Sequence, residues 1–407
     1  MKNCTPITAC LACGGSTLIA TLDLGNQPLA NNFRDTSITL YEKRYPLAIN
    51  RCQDCDHLQL THAVDPKLIY SHYLYVSGTS DTYLRYMTWY ARFVYETFTR
   101  YTSRMGPYSV LDIGCNDGSQ LDAFKELLFK TYGVDPAENL YPISSAKHSV
   151  TCGFWNNETQ IHIGKKFDII TTQNAFAHVP DPLSYLQLAA KSLRDDGKIF
   201  ISTSQADMVL NGEFDTIYHE HISYYNAESM KALAERAGLF LIDVVKTPIH
   251  GTSYIFVLSK LPQNQERIEN ILSMESKLHM GSTYRNWSID VKRLIVTLKD
   301  QIEVYREHGY HIVGYGAAAK GMTLLNASNA PLHVVIDDNP LKQGKWCPGL
   351  DIPVVNINYL DNLNEINMIV FIPLAWNFYD EIKHKIQAKR KNDNDIFLRY
   401  FPAITTE

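Results

Sequence analysis

Between Ser109 and Ile113 the chain reads SVLDI, an apolar run of the length and β-branched character of a strand buried in a parallel sheet. GCNDG (114–118) breaks the run, and SQLDAFKELL resumes with apolar residues three and four apart, as in a helix with one buried face. Strand, glycine-rich turn and helix form the first unit of a doubly wound α/β sheet, where a ligand lies beyond the carboxyl end of the strand. The pattern repeats. YGVD predicts a strand ending at Asp135, and FDIITTQNAFAHVPDP a fourth strand whose exit loop carries Asn174 and His178. LRDDGKIFIST reads as a helix end, a turn and a fifth strand. After a charged helical stretch, about Gln263 to His308, GYHIVGYGAAAKGMTLL gives another strand, turn and helix. HVVIDDNPLKQGKWCPGLDIPVV and NMIVFIPLAWNFYDEI add further strand–turn units, predicting a second, Rossmann-like α/β domain.

At 407 residues the chain exceeds one ordinary domain. The pattern divides it into a small amino-terminal module (1–70), the first α/β domain (71–262) and the second (263–407). A net charge of -5, with no run rich in lysine or arginine, argues against a protein that grips nucleic acid. No apolar run is long enough to cross a bilayer. The start, MKNCTPITAC, lacks the basic and apolar regions of a secretory signal, so a cytoplasmic setting is expected. A monomer is expected, because three domains can cover their own faces.

Disulfides are rare in that setting, and eight cysteines need another use. Cys10 and Cys13 in CLACGG, and Cys52 and Cys55 in CQDC, form two C-x2-C pairs. Each pair lets two thiolates of one tight turn face a single ion, and four sulfurs are the closed set that structural Zn2+ favours. Such a shell leaves no open position for substrate. A small β-rich insert must fill the gap between the pairs, and DHLQL reads as a strand leaving the second. Cys4, Cys115, Cys152 and Cys347 are isolated and read as packing residues.

The first glycine-rich turn is D-x-G-x-x-x-G (Asp112, Gly114, Gly118), not the G-x-G-x-x-G that wraps a pyrophosphate. Asp117 in that turn would repel a phosphate and suit a cationic or zwitterionic ligand. Asp135 is placed for two ribose hydroxyls, and Phe154 and Trp155 offer apolar cover for an adenine. In the second α/β domain Gly314 and Gly316 match the dinucleotide pattern, but Ala319 takes the last glycine's place. That turn is weak support for NAD; another ligand, or none, stays open.

The ordered motifs of residues 80 to 260 resemble the class I S-adenosylmethionine-dependent methyltransferases. The resemblance implies that Asp112, Gly114 and Gly118 lie beside the methionine part of the cofactor, with Asp135 on its ribose and Asn174 near by. Over nearly its whole length the chain is similar to the nucleotide-sugar C-3'-methyltransferases, which act on thymidine-diphosphate-linked 4-keto deoxysugars. The residues that carry this are the cysteine pairs, YLYVSGTS (73–80), YHEH (218–221), HGTS (250–253), GYGAAAKG and VIDDNPLKQGKWCPG. Thr252 departs from the small residue expected there.

That family implies His221 as the base, Tyr218 as its close neighbour, and Glu220 within reach of a hydroxyl or histidine. It implies Tyr75 and His178 as the rest of the pocket, with the sugar nucleotide held between the last two domains. The chemistry suits the residues. A C-4' ketone acidifies the C-3' proton, neutral histidine can remove it near pH 7, and tyrosines can donate to the enolate oxygen. His219 should face away from His221 if the segment is extended, since neighbours on a strand alternate sides. Metal binding by the two histidines together lacks a third ligand. The competing functions are a zinc-containing methyltransferase acting on RNA or another small molecule, and a non-catalytic scaffold. Guanosine- or cytidine-linked sugars also fit.

Overall fold

The run Ser109–Ile113 (β1) lies inside a seven-stranded sheet. Its other strands are Lys130–Asp135 (β2), Ser149–Cys152 (β3), Phe167–Gln173 (β4), Leu193–Thr203 (β5), Phe240–Thr247 (β6) and Ser253–Ser259 (β7). The order is β6-β7-β5-β4-β1-β2-β3. Strands β5, β4, β1, β2 and β3 are parallel, and β7 pairs antiparallel with both β5 and β6. This is the class I methyltransferase arrangement that the motif order implied. The computed structural model describes residues 3–37, 42–70, 77–79, 81–204, 206–247, 253–363 and 368–407.

Neighbouring residues of β1, β4 and the second half of β5 are buried on opposite faces, which is why these segments read as continuous apolar runs. Leu111, Ile170 and Ile201 pack with Tyr185, Leu186 and Ala189 of helix Pro182–Ser192, and with Met230 and Leu233 of helix Ala227–Arg236. Val110, Ile169 and Phe200 pack on the other side with Tyr90, Val94 and Phe98 of helix Asp81–Thr99. Asp181 caps the first of these helices by accepting from the Ser184 amide, and Pro182 fits its first turn. Asn226 caps the second through a capping box with Ser229.

The chain divides into two compact units. The first comprises Met1–Ile19, Asn50–Ala206 and Glu220–His279; the second comprises Ala20–Ile49, Asp207–His219 and Met280–Glu407. Both cysteine pairs thus belong to the unit of the seven-stranded sheet. The β-rich insert between them appears as Leu18–Gln27 and Tyr45–Cys52, and DHLQL gives the strand Leu58–Leu60.

The second unit holds a sheet of His311–Tyr315 (β8), Val334–Ile336 (β9), Val354–Val355 (β10), Ile369–Pro373 (β11), Ile396–Arg399 (β12) and Thr405–Thr406 (β13). Its order is β10-β9-β8-β11-β12-β13, parallel up to β12. Helices Gly281–Glu307 and Ala319–Ser328 belong to this unit. No helix among the described residues is long and apolar enough to cross a membrane.

Candidate active site and metal centre

The four sulfurs of Cys10, Cys13, Cys52 and Cys55 lie within 4.8 Å of one another. Cys10 and Cys55 are 3.6 Å apart, as are Cys13 and Cys52. A tetrahedron of Zn–S bonds of about 2.3 Å has edges of about 3.8 Å, so the sulfurs fit a zinc ion. Backbone amides of Cys13, Gly15 and Asp54 point at the sulfurs of Cys10, Cys13 and Cys52, at 3.4, 3.3 and 3.4 Å. Those contacts favour thiolates. The hydrogen bond from Cys55 lowers the Cys10 thiol to about 4, while burial pushes Cys52 up to about 12. Only a cation lets four adjacent thiols ionise together. Of the isolated cysteines, Cys4, Cys115 and Cys347 are buried as expected, but Cys152 is exposed on the outermost strand, β3, and is no packing residue.

The glycine-rich turn is shaped by backbone no side chain tolerates well. Gly114 and Gly118 have φ of 86° and 85°, and a Cβ on Gly114 would lie 2.6 Å from that of Ala175. Asp135 ends β2, and each carboxylate oxygen accepts a backbone amide, from Asn116 and Ala137, both at 2.8 Å. The carboxylate is thereby aimed, with lone pairs left for hydroxyls. Asp112 is buried, and its Oδ1 has no hydrogen-bond partner among the described residues. Burial, with the Asp135 carboxylate adding to it, raises Asp112 to about 8. An orphaned acid beside a second acid fits a positively charged ligand such as the sulfonium donor.

Asn174 sits at φ 54° and donates to the Tyr83 hydroxyl at 3.1 Å. The Trp155 indole donates to the Tyr185 carbonyl at 3.2 Å, and Phe154 beside it is half-buried. Asp117 accepts from the amides of Gly78 (2.9 Å) and Ser119 (3.1 Å), which spends it on the turn itself. A Cβ on Gly78 would lie 2.6 Å from Asp117 Oδ2. Gly78 and Tyr83 were missed as site residues, although Gly78 falls inside YLYVSGTS.

The structure brings His178 and His221 together. Their rings stack at 5.2 Å, and Tyr70 also stacks on His178 at 5.3 Å. The Tyr70 hydroxyl donates to the Glu220 carbonyl at 3.2 Å, and the Ile222 amide to that of Ala177 at 2.7 Å, joining the two loops. Burial lowers His178 to about 4, so its ring is neutral, and its Nε2 has no hydrogen-bond partner among the described residues. His221 Nδ1 lies 3.2 Å from Ser204 Oγ. Tyr70 and Ser204 were also missed. The only cue to Ser204 was its place just past the fifth strand.

YHEH is not extended. It turns at His219 and Glu220, and the chain passes from the second unit to the first between them. His219 is buried, its Nε2 is 3.2 Å from the Tyr45 carbonyl, and its ring meets Tyr45 edge-on. It therefore belongs to the packing of the second unit, by a turn and not by strand alternation. Tyr218 is half-buried and Glu220 is buried. Tyr75, His250 and Thr252 lie outside the described residues.

Three family models match the chain in order: "Putative zinc binding domain" over residues 10–70, "Methyltransferase domain" over 87–244, and "C-methyltransferase C-terminal domain" over 248–402. With these three domains in order, the chain is an S-adenosylmethionine-dependent C-methyltransferase whose four-sulfur cluster is a structural zinc site. It is similar to the C-methyltransferase NovU of Streptomyces niveus, 27% identical over 393 residues, which is 93% of this chain and 91% of that one. A shorter match, 27% over 157 residues, is to a ubiquinone biosynthesis O-methyltransferase of Hydrogenovibrio crunogenus, covering 33% of this chain and 62% of the relative. Among solved structures, an S-adenosylmethionine-dependent methyltransferase from Clostridium acetobutylicum aligns with TM-score 0.36 and 15% identity, over 43% of this chain and 91% of its own. The magnesium protoporphyrin IX methyltransferase of Synechocystis, solved with bound SAM, aligns with TM-score 0.34 and 12% identity, over 44% and 79%.

Proposed function

We propose that the enzyme methylates C-3' of a nucleotide-linked 4-keto-6-deoxysugar, with thymidine diphosphate as the nucleotide, through an enolate. The observation that carries the reading is the His178–His221 stack beside Ser204. When His221 donates Nδ1–H to Ser204 Oγ, Nε2 holds the lone pair that a base requires. The stacked His178 is held neutral by burial and adds no positive charge that would make His221 less basic. His221 takes the C-3' proton, and Tyr218 donates to the C-4' oxygen as negative charge develops there. Glu220 and His178 complete the pocket with Tyr75. A carbon nucleophile needs such a base, whereas the acidity of an O–H or N–H acceptor makes it far less demanding.

The donor, when bound, supplies an electrophilic methyl group. Asp112, Gly114, Gly118, Asp135 and Asn174 hold it, with Phe154 and Trp155 covering its adenine. Proton removal is a separate step and needs no methyl transfer. In heavy water with S-adenosylhomocysteine, the enzyme should exchange the C-3' proton of the keto sugar, read by NMR. Exchange present in His221→Asn and lost in Tyr218→Phe would transfer the base to the tyrosine.

A further inference from the structure

The segment just before YHEH contains two buried acids, Glu213 and Asp215. The Trp376 indole and the Tyr400 hydroxyl both donate to Asp215 Oδ2, at 2.8 and 2.9 Å. Lys320 Nζ lies 4.0 Å from Oδ1 and 5.0 Å above the Trp376 ring. On either side of Asp215 the backbone is held as well. The Trp287 indole donates to the Glu213 carbonyl at 3.0 Å, and the Thr323 hydroxyl to the Ile217 carbonyl at 3.3 Å. His219 closes the series on the Tyr45 carbonyl.

All these partners belong to the second unit. They come from the start of strand Tyr45–Cys52, from helix Gly281–Glu307, from the first turns of helix Ala319–Ser328, and from the segments that follow β11 and β12. A carboxylate without solvent is a costly anchor unless it is paired; here two donors hold Oδ2, while Oδ1 has no hydrogen bond among the described residues and faces only the Lys320 ammonium at 4.0 Å. Three residues further on stands Tyr218, then Glu220 and His221.

We infer that Asp215 is a positioning residue, locking the segment that carries Tyr218, and by chain continuity His221, to the carboxyl-terminal α/β unit. The inference rests on the catalytic reading of those two residues. It gives the carboxyl-terminal unit a task in the chemistry besides any ligand of its own: the buried Asp215 cluster sets where the base-bearing turn begins. A charge held from three elements, with the backbone on either side held as well, has one arrangement, so the turn that follows it is restrained too.

The test uses full-length, zinc-loaded protein and two variants. Asp215→Asn keeps an acceptor for Trp376 and Tyr400 but turns an amide NH2 toward Lys320. Tyr400→Phe removes one donor and leaves the charge. Hydrogen exchange followed by mass spectrometry should show amides of residues 217–221 exchanging on the order of tenfold faster in Asp215→Asn, with β8 and β11 unchanged. The kcat should fall on the order of a hundredfold, with the affinity for S-adenosylmethionine unaltered. Tyr400→Phe should show both effects in smaller measure, and it decides the matter should Asp215→Asn fail to fold. Unchanged exchange at 217–221 would overturn the proposal. So would faster exchange there with wild-type kcat, or exchange raised equally through β8 and β11, which would make Asp215 a general support of its unit. Exchange needs no acceptor, so an error in the acceptor's identity would appear separately, as absent turnover in the wild-type enzyme.

Discussion

Asp112, in β1, and His178, in the turn after β4, are shifted in opposite directions by desolvation. Asp112 is raised to about 8 without its ligand, so much of it is protonated at neutral pH. A cationic donor favours the ionised form, and binding then releases a proton. Affinity for S-adenosylmethionine should therefore rise with pH until about 8 and level off above it, and Asp112→Asn should flatten the profile. Calorimetry in buffers of different ionisation enthalpy reads the proton directly; a pH-independent affinity in wild type would contradict this role. In the proposed reading Asp135 acts by geometry. Asp135→Ala loses hydrogen bonds to a charged acceptor, about 1.5–3 kcal/mol, and should weaken donor binding roughly tenfold or more. His221→Asn keeps a polar side chain but no base, and should cost roughly a hundredfold to ten-thousandfold in turnover with the donor's Kd unchanged. The acids and YHEH were legible in the sequence because each ends or follows a recognisable strand or block. Tyr70 and Ser204 were not: Tyr70 meets His178 from over a hundred positions away, and Ser204 lies in an irregular segment with no motif of its own.

Elements explain which expectations held. Parallel strands buried on both faces leave long apolar runs, and β1, β4 and β5 were legible for that reason. YHEH misled because alternation assumes a strand, and nothing in four polar residues reveals a turn there. The two C-x2-C turns are elements of another kind, held by an ion as well as by the apolar core. Purified protein should carry about one zinc per chain by elemental analysis. Chelation, or Cys52→Ser, should lower the thermal midpoint of the first unit, because the cluster packs into the same core as Leu111 and Ile201. Metal-free protein of equal stability would show that the sulfurs only pack.

Over the whole molecule, the chain crosses between its two units four times, at residues 19–20, 49–50, 206–207 and 219–220, before the final crossing at 279–280. Hydrophobic period reports local burial and says nothing about such interleaving, so the share that segments 20–49 and 207–219 take in the second unit was invisible in the sequence. The same scale governs stability against pH. His178, His219 and His311 are each lowered to about 4 by burial, against about 6.5 in an unfolded chain. The unfolded state binds more protons between those values, so their contribution is full above about 6.5 and is lost as pH falls towards 4. Asp112 opposes them, since its raised value favours the folded state at low pH. Chemical denaturation across this range should show stability declining on acidification, and a smaller decline in His311→Gln. What joins the scales is the claim that the protein deprotonates a carbon before alkylating it. The most direct measurement supplies the enzyme with a thymidine-diphosphate-linked 4-keto-6-deoxysugar and donor carrying a 13C methyl, and reads the product by carbon–proton correlation NMR. The account predicts a labelled methyl bonded to C-3', with the original C-3' proton gone; a label attached to oxygen or nitrogen, with that proton retained, would contradict it.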